Sequence, residues 1–243
     1  MGHTVRASVA MATYNGETFL REQIDSILNM LSQEDELVIS DDGSKDRTEE
    51  IIREYMSRDN RVIFVKNPDN HGVCGNFSNA IQHCKGRYIF MSDQDDVWFG
   101  DKINRMIAVL EENNADLAVH DGYITNQQLE PRLETMFQLA NSTTSPWANF
   151  VHGRFWGCCM VFRSEATRYL LPFPNVARDF PHDIFAPILA GLKGGVCMTE
   201  ECFIYHRIHD RNVTPTKKNS MMKIIKNRIQ LLLCVVKRLL KIG

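Results

Sequence analysis

The first 121 residues alternate short apolar runs with amphipathic segments, and this alternation constrains the fold more than any other feature of the sequence. Runs rich in Val, Ile and Phe predict buried strands, and apolar residues at helical spacing between them predict helices. The predicted strands lie at 5–12, within 36–44, at 61–65, 87–91 and 115–121. Strands that alternate with helices predict a parallel, doubly wound α/β sheet.

Polar side chains follow three of these predicted strands at the point where each strand ends. Thr13, Tyr14 and Asn15 come after the first strand, Asp41 and Asp42 after the second, and Asp93 to Asp96 after the fourth. In sheets of this type the ligand binds at the carboxyl ends of the strands. Three strand ends therefore predict one binding site.

The apolar run before Asp93 ends in three carboxylates, Asp93, Asp95 and Asp96. Crowded carboxylates repel one another and are costly to bury unless a cation lies among them. Mg²⁺ or Mn²⁺ binds such oxygens and keeps positions for substrate phosphates. The alternative is a solvated loop or a cap for the helix predicted to begin near Asp101.

The other polar clusters each allow two interpretations. Asp41-Asp42 precedes Gly43 and is typical of a turn, or it hydrogen-bonds a base or ribose. His182-Asp183 supplies a helix cap, or Asp183 acts as a general base that faces the metal site. The segment 206–209 is a polar loop or part of the site. No glycine-rich phosphate loop follows the first strand, so metal and side chains would have to hold a phosphate.

Charge divides the chain into a body and a tail. The formal net charge is −2 and the sequence pI is about 6.4, which gives no basic field for nucleic acid. Residues 221–243 carry six Lys or Arg and no acid, which leaves −8 on the rest. This segment predicts a basic amphipathic helix that lies on an anionic membrane surface. The alternative is a helix packed on the body or on a second subunit, as in a homodimer.

The seven cysteines favour an intracellular protein. Their number is odd and no CxxC pair occurs, so we expect reduced thiols and neither a disulfide framework nor a zinc site. The sequence begins directly with a strand pattern, and no secretion signal is predicted. We expect a cytoplasmic protein, peripheral on the inner face of the cytoplasmic membrane through residues 221–242.

Taken in order, these segments resemble family 2 glycosyltransferases of the bacterial type that adds rhamnose, glucose or galactose to cell-surface polysaccharide precursors. The resemblance covers residues 5 to 213 and is strongest before residue 105. It is carried by VAMATYNGETFLREQIDSIL, VISDDGSKDRT, GVCGNFSNAI, GRYIFMSDQDDVWFGDKI, the pair His182-Asp183 and YHRIHDRNV.

The resemblance implies a fold and a reaction. The fold is GT-A (Rossmann-like), with a mixed, mainly parallel central sheet flanked by helices. The reaction moves a sugar from a nucleotide-diphosphate donor to a hydroxyl of a saccharide, often lipid-linked, and inverts the anomeric configuration. It further implies a division into a donor half at 1–121, an acceptor and catalytic half at 122–213, and the helix at 214–243.

Roles for individual residues also follow from the resemblance. Asp183 corresponds to the catalytic base. Asp93 and Asp95 correspond to the DxD element that binds Mn²⁺ or Mg²⁺ on the donor diphosphate, with Asp95 as the direct ligand. The remaining positions would contact the donor or its metal: Thr13, Tyr14 and Glu17 at the lip of the nucleotide pocket, Asp41 and Asp42 at the base and ribose, and Arg207 and His209 near the diphosphate or metal.

Three other functions are compatible with parts of the sequence. A phosphatase of the haloacid dehalogenase type would use Asp93 as nucleophile with Asp95, but its motif usually closes the first strand. A sugar nucleotidyltransferase would need a glycine-rich, basic loop after the first strand. A non-catalytic, membrane-associated scaffold that binds nucleotide is the third possibility, and only activity distinguishes it.

Overall fold

A computed structural model describes residues 5–68, 71–153, 155–174, 182–210 and 221–242. Within these ranges the elements are, in chain order, β1 (Ala7–Thr13), α1 (Leu20–Leu28), β2 (Glu36–Asp41), α2 (Thr48–Arg58), β3 (Val62–Lys66), α3 (Val73–Gln82), β4 (Tyr88–Ser92), β5 (Val97–Trp98), α4 (Lys102–Glu112), β6 (Leu117–Thr125), β7 (Pro131–Thr135), α5 (Met136–Ala140), α6 (Pro146–His152), β8 (Met160–Arg163), α7 (Thr167–Leu170), α8 (His182–Lys193), β9 (Val196–Arg207) and α9 (Met221–Ile242).

The strands form one sheet in the order β3-β2-β1-β4-β8-β6-β9-β5, and β7 pairs with β6. Strands β3, β2, β1 and β4 are parallel neighbours, as are β6 and β9. Helices flank the sheet, so the predicted mixed, mainly parallel α/β fold is confirmed. The simpler expectation of a wholly parallel sheet is wrong, because β8 runs antiparallel between β4 and β6.

The parallel register brings the predicted strand ends together. Thr13 pairs with Asp41, and Met11 pairs with Ser92, so the loops after β1, β2 and β4 leave the same edge of the sheet. Strand β4 is buried along its whole length, which explains its continuous apolar run. The core below this edge therefore fixes the positions of three polar loops.

The segment 122–150 forms regular secondary structure. Strand β6 continues to Thr125, β7 turns back along it, and helices α5 and α6 follow. Helix α5 begins with a capping box, in which the Thr135 and Gln138 side chains each accept a hydrogen bond from the other residue's backbone. Strand β8 begins only at Met160, because residues 157–159 form a 3₁₀ turn.

Helix α9 packs one face on helices α7 and α8, where Leu231 and Val235 are buried. Its other face exposes large apolar side chains, namely Met222, Ile225, Ile229, Leu232, Leu233, Val236 and Leu240. No helix in the described part of the chain is long and apolar enough to cross a bilayer. The expected boundary between 213 and 214 lies outside the described residues.

Candidate active site

The loops after β1 and β4 are joined by the side chain of Gln94. The Tyr14 N–H donates to Gln94 Oε1 (2.9 Å), and Gln94 Nε2 donates to the Tyr14 carbonyl (3.1 Å). A Cβ added at Gly16 would lie 2.3 Å from Gln94 Oε1, so only glycine permits this approach. Gln94 thus holds residues 93–96, hereafter the acidic loop, against the first strand end.

A cleft of about 250 Å³ opens between these loops and the segment after β9. On its wall, His209 Nε2 lies 2.9 Å from Asp95 Oδ2, and the His209 ring centroid is 4.8 Å from that of Phe19. Two predicted site residues that lie 114 positions apart in the sequence therefore meet. The lining consists of Tyr14, Asn15, Gly16, Thr18, Phe19, Gln94, Asp95 and His209.

The Asp93 carboxylate is crowded by other acids. Burial, together with the negative charges of Asp96 and Asp95, raises the pKa of Asp93 to about 8. No residue in the described ranges donates a hydrogen bond to its side chain. A carboxylate surrounded by like charges fits a site for a cation.

Asp96 differs from the other two acids because it points into the interior. It is fully buried, and its Oδ1 accepts from His206 Nδ1 (2.9 Å) and from the Arg207 N–H (3.3 Å). Although burial opposes protonation of His206, the Asp96 charge raises the pKa of that imidazole to about 9. Asp96, Cys158 and His206 each have one atom that could ligate a metal, and these three atoms lie within 4.8 Å of one another. We interpret Asp96 and His206 as a buried ion pair below the acidic loop.

A buried lysine adds a second positive charge, besides that of His206, below the acidic loop. Lys102 is fully buried, its Nζ donates to the Cys158 carbonyl (3.2 Å), and it lies 3.6 Å from the Trp98 ring centroid. Burial lowers the pKa of Lys102 to about 8. No motif in the sequence marks Lys102 as a site residue. Lys102 lies four and seven positions before Met106 and Val109, which are on the buried face of α4. This helical spacing indicates that Lys102 is buried on the same face.

Arg207 lies beneath the acidic loop. Its Nε donates to the Asp95 carbonyl (3.0 Å), its Nη2 pairs with Glu22 Oε2 (2.5 Å), and the guanidinium lies 4.5 Å from the Phe19 ring centroid. These contacts fix the backbone that carries Asp95. The expected contact of Arg207 with a diphosphate stays a prediction.

The predicted residues after β1 and β2 are held by hydrogen bonds within the protein. Asp41 Oδ2 accepts from the Gly43 and Ser44 N–H groups (3.1 and 2.9 Å), and the Thr13 hydroxyl lies 3.2 Å from Asp41 Oδ1. Asp41 therefore shapes the turn after β2, and its proposed contact with a base is untested.

Asp42 and Glu17 are also engaged by neighbouring loops. Asp42 accepts from the Asn67 side chain (2.7 Å) and the Gly72 N–H (2.8 Å). Glu17 Oε2 accepts from the Arg47 N–H (3.0 Å) and lies outside the lining of the cleft. Among the predicted pocket residues of the first loop, Tyr14 is the one that exposes a large side chain there.

Asp183 lies in the first turn of α8, and its charge acts on the acidic loop. Its Oδ1 is buried and has no hydrogen-bond partner among the described residues. Burial raises the pKa of Asp183 to about 7, and its negative charge contributes to the raised pKa of Asp93. An ionisable carboxyl with a pKa near neutrality suits a general base.

His182, which precedes it, is a packing residue. Its ring lies 4.6 Å from the Phe77 centroid and 5.6 Å from that of Phe173, and burial lowers its pKa to about 3. A Cβ at Gly157 would meet His182 Nε2 at 2.0 Å. The neutral imidazole therefore fills a tight space and fixes the start of α8.

Solved structures with this architecture are glycosyltransferases of the GT-A type. TarS of S. aureus in complex with UDP-GlcNAc superposes with a TM-score of 0.70 at 16% identity, over 94% of this chain and 66% of that chain. The mannosyltransferase PcManGT from Pyrobaculum calidifontis, in complex with GDP-Man and Mn²⁺, gives 0.66 at 16% identity, over 98% and 65%. At such identities the likeness establishes the fold.

Sequence comparison identifies the family. The model of glycosyl transferase family 2 matches residues 8–171, and the chain belongs to this family. Among curated relatives, the dTDP-rhamnosyl transferase RfbG of Shigella flexneri is 30% identical over 72% of this chain and 63% of its own length. The chain thus spans about two thirds of the length of these three proteins. The class is that of a transferase enzyme, and the phosphatase alternative has no support.

Proposed function

We propose that the chain transfers a sugar from a nucleotide-diphosphate donor to a hydroxyl of a saccharide acceptor, with a divalent metal and with inversion, in the synthesis of a cell-surface polysaccharide. The observation that carries the proposal is the meeting of the acidic loop and His209 at the cleft on one edge of the sheet, near enough to Asp183 for its charge to act on Asp93. Residues 1–121 would supply the donor side, and 122–213 the acceptor side.

The donor atoms present fit a hard divalent cation. No donor in the described part of the chain satisfies the Asp93 carboxylate, and Asp95 presents its own carboxylate on the cleft wall beside His209. Asp93 and Asp95 would hold Mn²⁺ or Mg²⁺, with His209 next to them. The ion would neutralise the charge that develops on the leaving diphosphate.

Asp183 would act on the acceptor. Its carboxylate accepts the proton of the acceptor hydroxyl while that oxygen bonds to the anomeric carbon and the bond to the diphosphate breaks. Attack from the face opposite the leaving group inverts the configuration. With a pKa of about 7, a large fraction of the Asp183 carboxyl is ionised near neutral pH, and the carboxylate still binds a proton well enough to act as a base.

Helix α9 would place the enzyme beside a lipid-linked acceptor. Its outer face combines exposed Ile229, Leu232 and Leu240 with exposed lysines and no acid, whereas the rest of the chain carries −8. Such a face suits the inner leaflet of the membrane, where each Lys or Arg contributes about 1 kcal/mol. Sedimentation with phosphatidylglycerol vesicles but not with phosphatidylcholine vesicles is expected. A helix face that pairs two copies would instead give a dimer and no vesicle binding.

The first experiment is a donor screen. The purified chain is incubated with UDP-, dTDP- and GDP-sugars in Mn²⁺ or in EDTA, and released nucleoside diphosphate is measured. Asp95→Ala is the test variant, and Glu112→Gln, an exposed acid far along α4, is its matched control. Metal-dependent release from one donor, lost in Asp95→Ala and kept in Glu112→Gln, supports the transferase.

If no donor releases nucleoside diphosphate, nucleotide binding is measured by calorimetry. An acceptor-dependent transferase still binds nucleotide in the presence of metal without turning it over. Absence of both release and metal-dependent nucleotide binding rejects the transferase. Binding without transfer to any acceptor, tested on lipid-linked saccharide extracts, favours the scaffold alternative.

A further inference from the structure

Helix α1 contacts the backbone on both sides of the acidic loop. Gln23 is fully buried, and its Nε2 donates to the Asp93 carbonyl (3.0 Å) and to the Ser92 hydroxyl (2.8 Å). One turn further along the helix, the Ser26 hydroxyl accepts a hydrogen bond from the Trp98 N–H (3.0 Å). The same helix therefore holds the chain where it enters the loop and where it leaves it.

The residue before Gln23, Glu22, reaches the middle of the loop through Arg207. The Arg207 side chain is 4% exposed, and its Nη2 pairs with Glu22 Oε2 (2.5 Å). Its Nε donates to the Asp95 carbonyl (3.0 Å), and its Nη1 donates to the Gln127 carbonyl. Each nitrogen of the guanidinium is thus bonded within the protein, and Glu22 is the anion that fixes its orientation.

The two carbonyls held in this way belong to the two residues that we propose as metal ligands. Adjacent residues of one helix hold them, Gln23 directly at Asp93 and Glu22 through Arg207 at Asp95. Because the two carboxylates repel each other, the loop would separate them if its backbone were not held. Partners that orient the ligands of a metal control its affinity, although they do not touch the metal.

We propose that Glu22 and Gln23 are positioning residues for the metal site, and that they fix the separation of the Asp93 and Asp95 carboxylates before a cation binds. This inference rests on the proposed function, which assigns a divalent metal to these two acids. Glu22 and Gln23 are not among the residues that line the cleft. They act only through the backbone of the acidic loop, so the metal site extends to a helix that contacts neither metal nor donor.

The first test uses the metal-free protein. Hydrogen exchange is measured by mass spectrometry in residues 93–98, with the amides of β2 as the reference. Gln23→Leu should speed exchange in 93–98 about tenfold, because the loop loses a buried donor, and should leave β2 unchanged. Tyr55→Phe is the matched control, since it removes another hydrogen bond to α1, from the Tyr55 hydroxyl to Asp25 (2.7 Å), and should leave both regions unchanged.

The second test measures Mn²⁺ binding through the electron paramagnetic resonance signal of the free ion. Mn²⁺ is titrated alone and with UDP, dTDP or GDP. Gln23→Leu should raise the Kd about tenfold to a hundredfold. Glu22→Gln should raise it about twofold to fivefold, because the Glu22 side chain is half-exposed. Glu54→Gln breaks an ion pair of the same length on α1, that of Arg21 with Glu54 (2.5 Å), and should match the wild type.

The outcomes separate this inference from the proposed function. Unchanged exchange in Gln23→Leu, or an unchanged Kd in both Gln23→Leu and Glu22→Gln, would overturn the inference. If Gln23→Leu does not fold, Glu22→Gln decides, and a loss equal to that in Glu54→Gln counts against positioning. A wild type that binds no Mn²⁺ under any of these conditions rejects the proposed metal instead, and the exchange rates still decide whether α1 holds the loop.

Discussion

The acidic loop and the first turn of α8 lie close enough for their charges to interact, yet their polar groups are satisfied in different ways. Around the loop, Gln94, Asp96 and Arg207 are hydrogen-bonded to the segment after β1, to β9 and to α1. At α8, Asp183 Oδ1 lacks a partner among the described residues. Under the proposed function, the side that binds the donor is therefore organised before substrate arrives, whereas the side that binds the acceptor keeps a carboxylate oxygen for substrate.

Replacement of Asp183, the proposed base, should give the largest effect. Asp183→Asn keeps the size of the side chain and removes its ability to take a proton, so kcat should fall by about 10²–10⁴-fold. Because the hydrogen bonds that hold the acidic loop do not involve Asp183, the donor KM and the melting temperature should change little. Steady-state kinetics and thermal unfolding measure both. A large rise in donor KM would break the distinction between the two sides.

Disruption of the buried pair below the acidic loop should act on stability. Asp96→Asn leaves His206 and Lys102 without their counter-charge, and loss of one partner of a buried pair costs about 3–5 kcal/mol. Glu112→Gln breaks an exposed pair with Arg105 and should cost at most about 1 kcal/mol. Urea unfolding gives both values. Equal costs for the two variants would contradict the interpretation of Asp96 as a buried structural acid.

Gly16→Ala should loosen the donor side alone. The added Cβ forces the Gln94 side chain away and removes its two hydrogen bonds to Tyr14, at a cost of about 1–3 kcal/mol. Donor KM should rise, while the acceptor KM stays constant. In a Gln94→Ala background the same substitution should cost little, because the clash is gone. A Gly16→Ala penalty that persists there would place the constraint elsewhere.

The pH dependence of kcat should follow the ionisation of Asp183, which is proposed to act on the acceptor. Burial raises the pKa of Asp183 to about 7, and the base works only when deprotonated, so kcat should fall about tenfold for each pH unit well below 7. The contribution of Asp183 to the free energy of unfolding changes with pH in the opposite direction to kcat. Between its ordinary pKa and 7 the folded state binds the extra proton, so lowering the pH favours folding. A kcat profile that is flat from pH 5 to 8 would remove Asp183 as the base.

The positions of the strand ends could be predicted from the sequence because the signals are local. An apolar run that stops at Thr13, Asp41 or Asp93 marks both the strand and its polar end, and parallel pairing then brings the ends together. The antiparallel insertion of β8 has no such signal, because strand order depends on contacts between distant segments.

The second half of the chain was predicted less well, also for physical reasons. Helix α5 has five residues, too few for a helical period, although the capping box from Thr135 to Gln138 was visible. The Asp96–His206 pair joins residues 110 positions apart, and no local pattern shows it. The difference between Asp96 and its two neighbours was therefore accessible only from the fold.

The bond between Asp96 and His206 has a consequence for how such a site is inherited. The segment matched by the family model ends at residue 171, while His206, Arg207 and His209, which hold the acidic loop, come from β9 and the residues after it. The first 171 residues carry the carboxylates and Gln94, whereas these three groups lie outside them. A fragment cut at that position would keep the acidic motif and lose the β9 contacts that hold it, so the sequences of the two segments depend on each other.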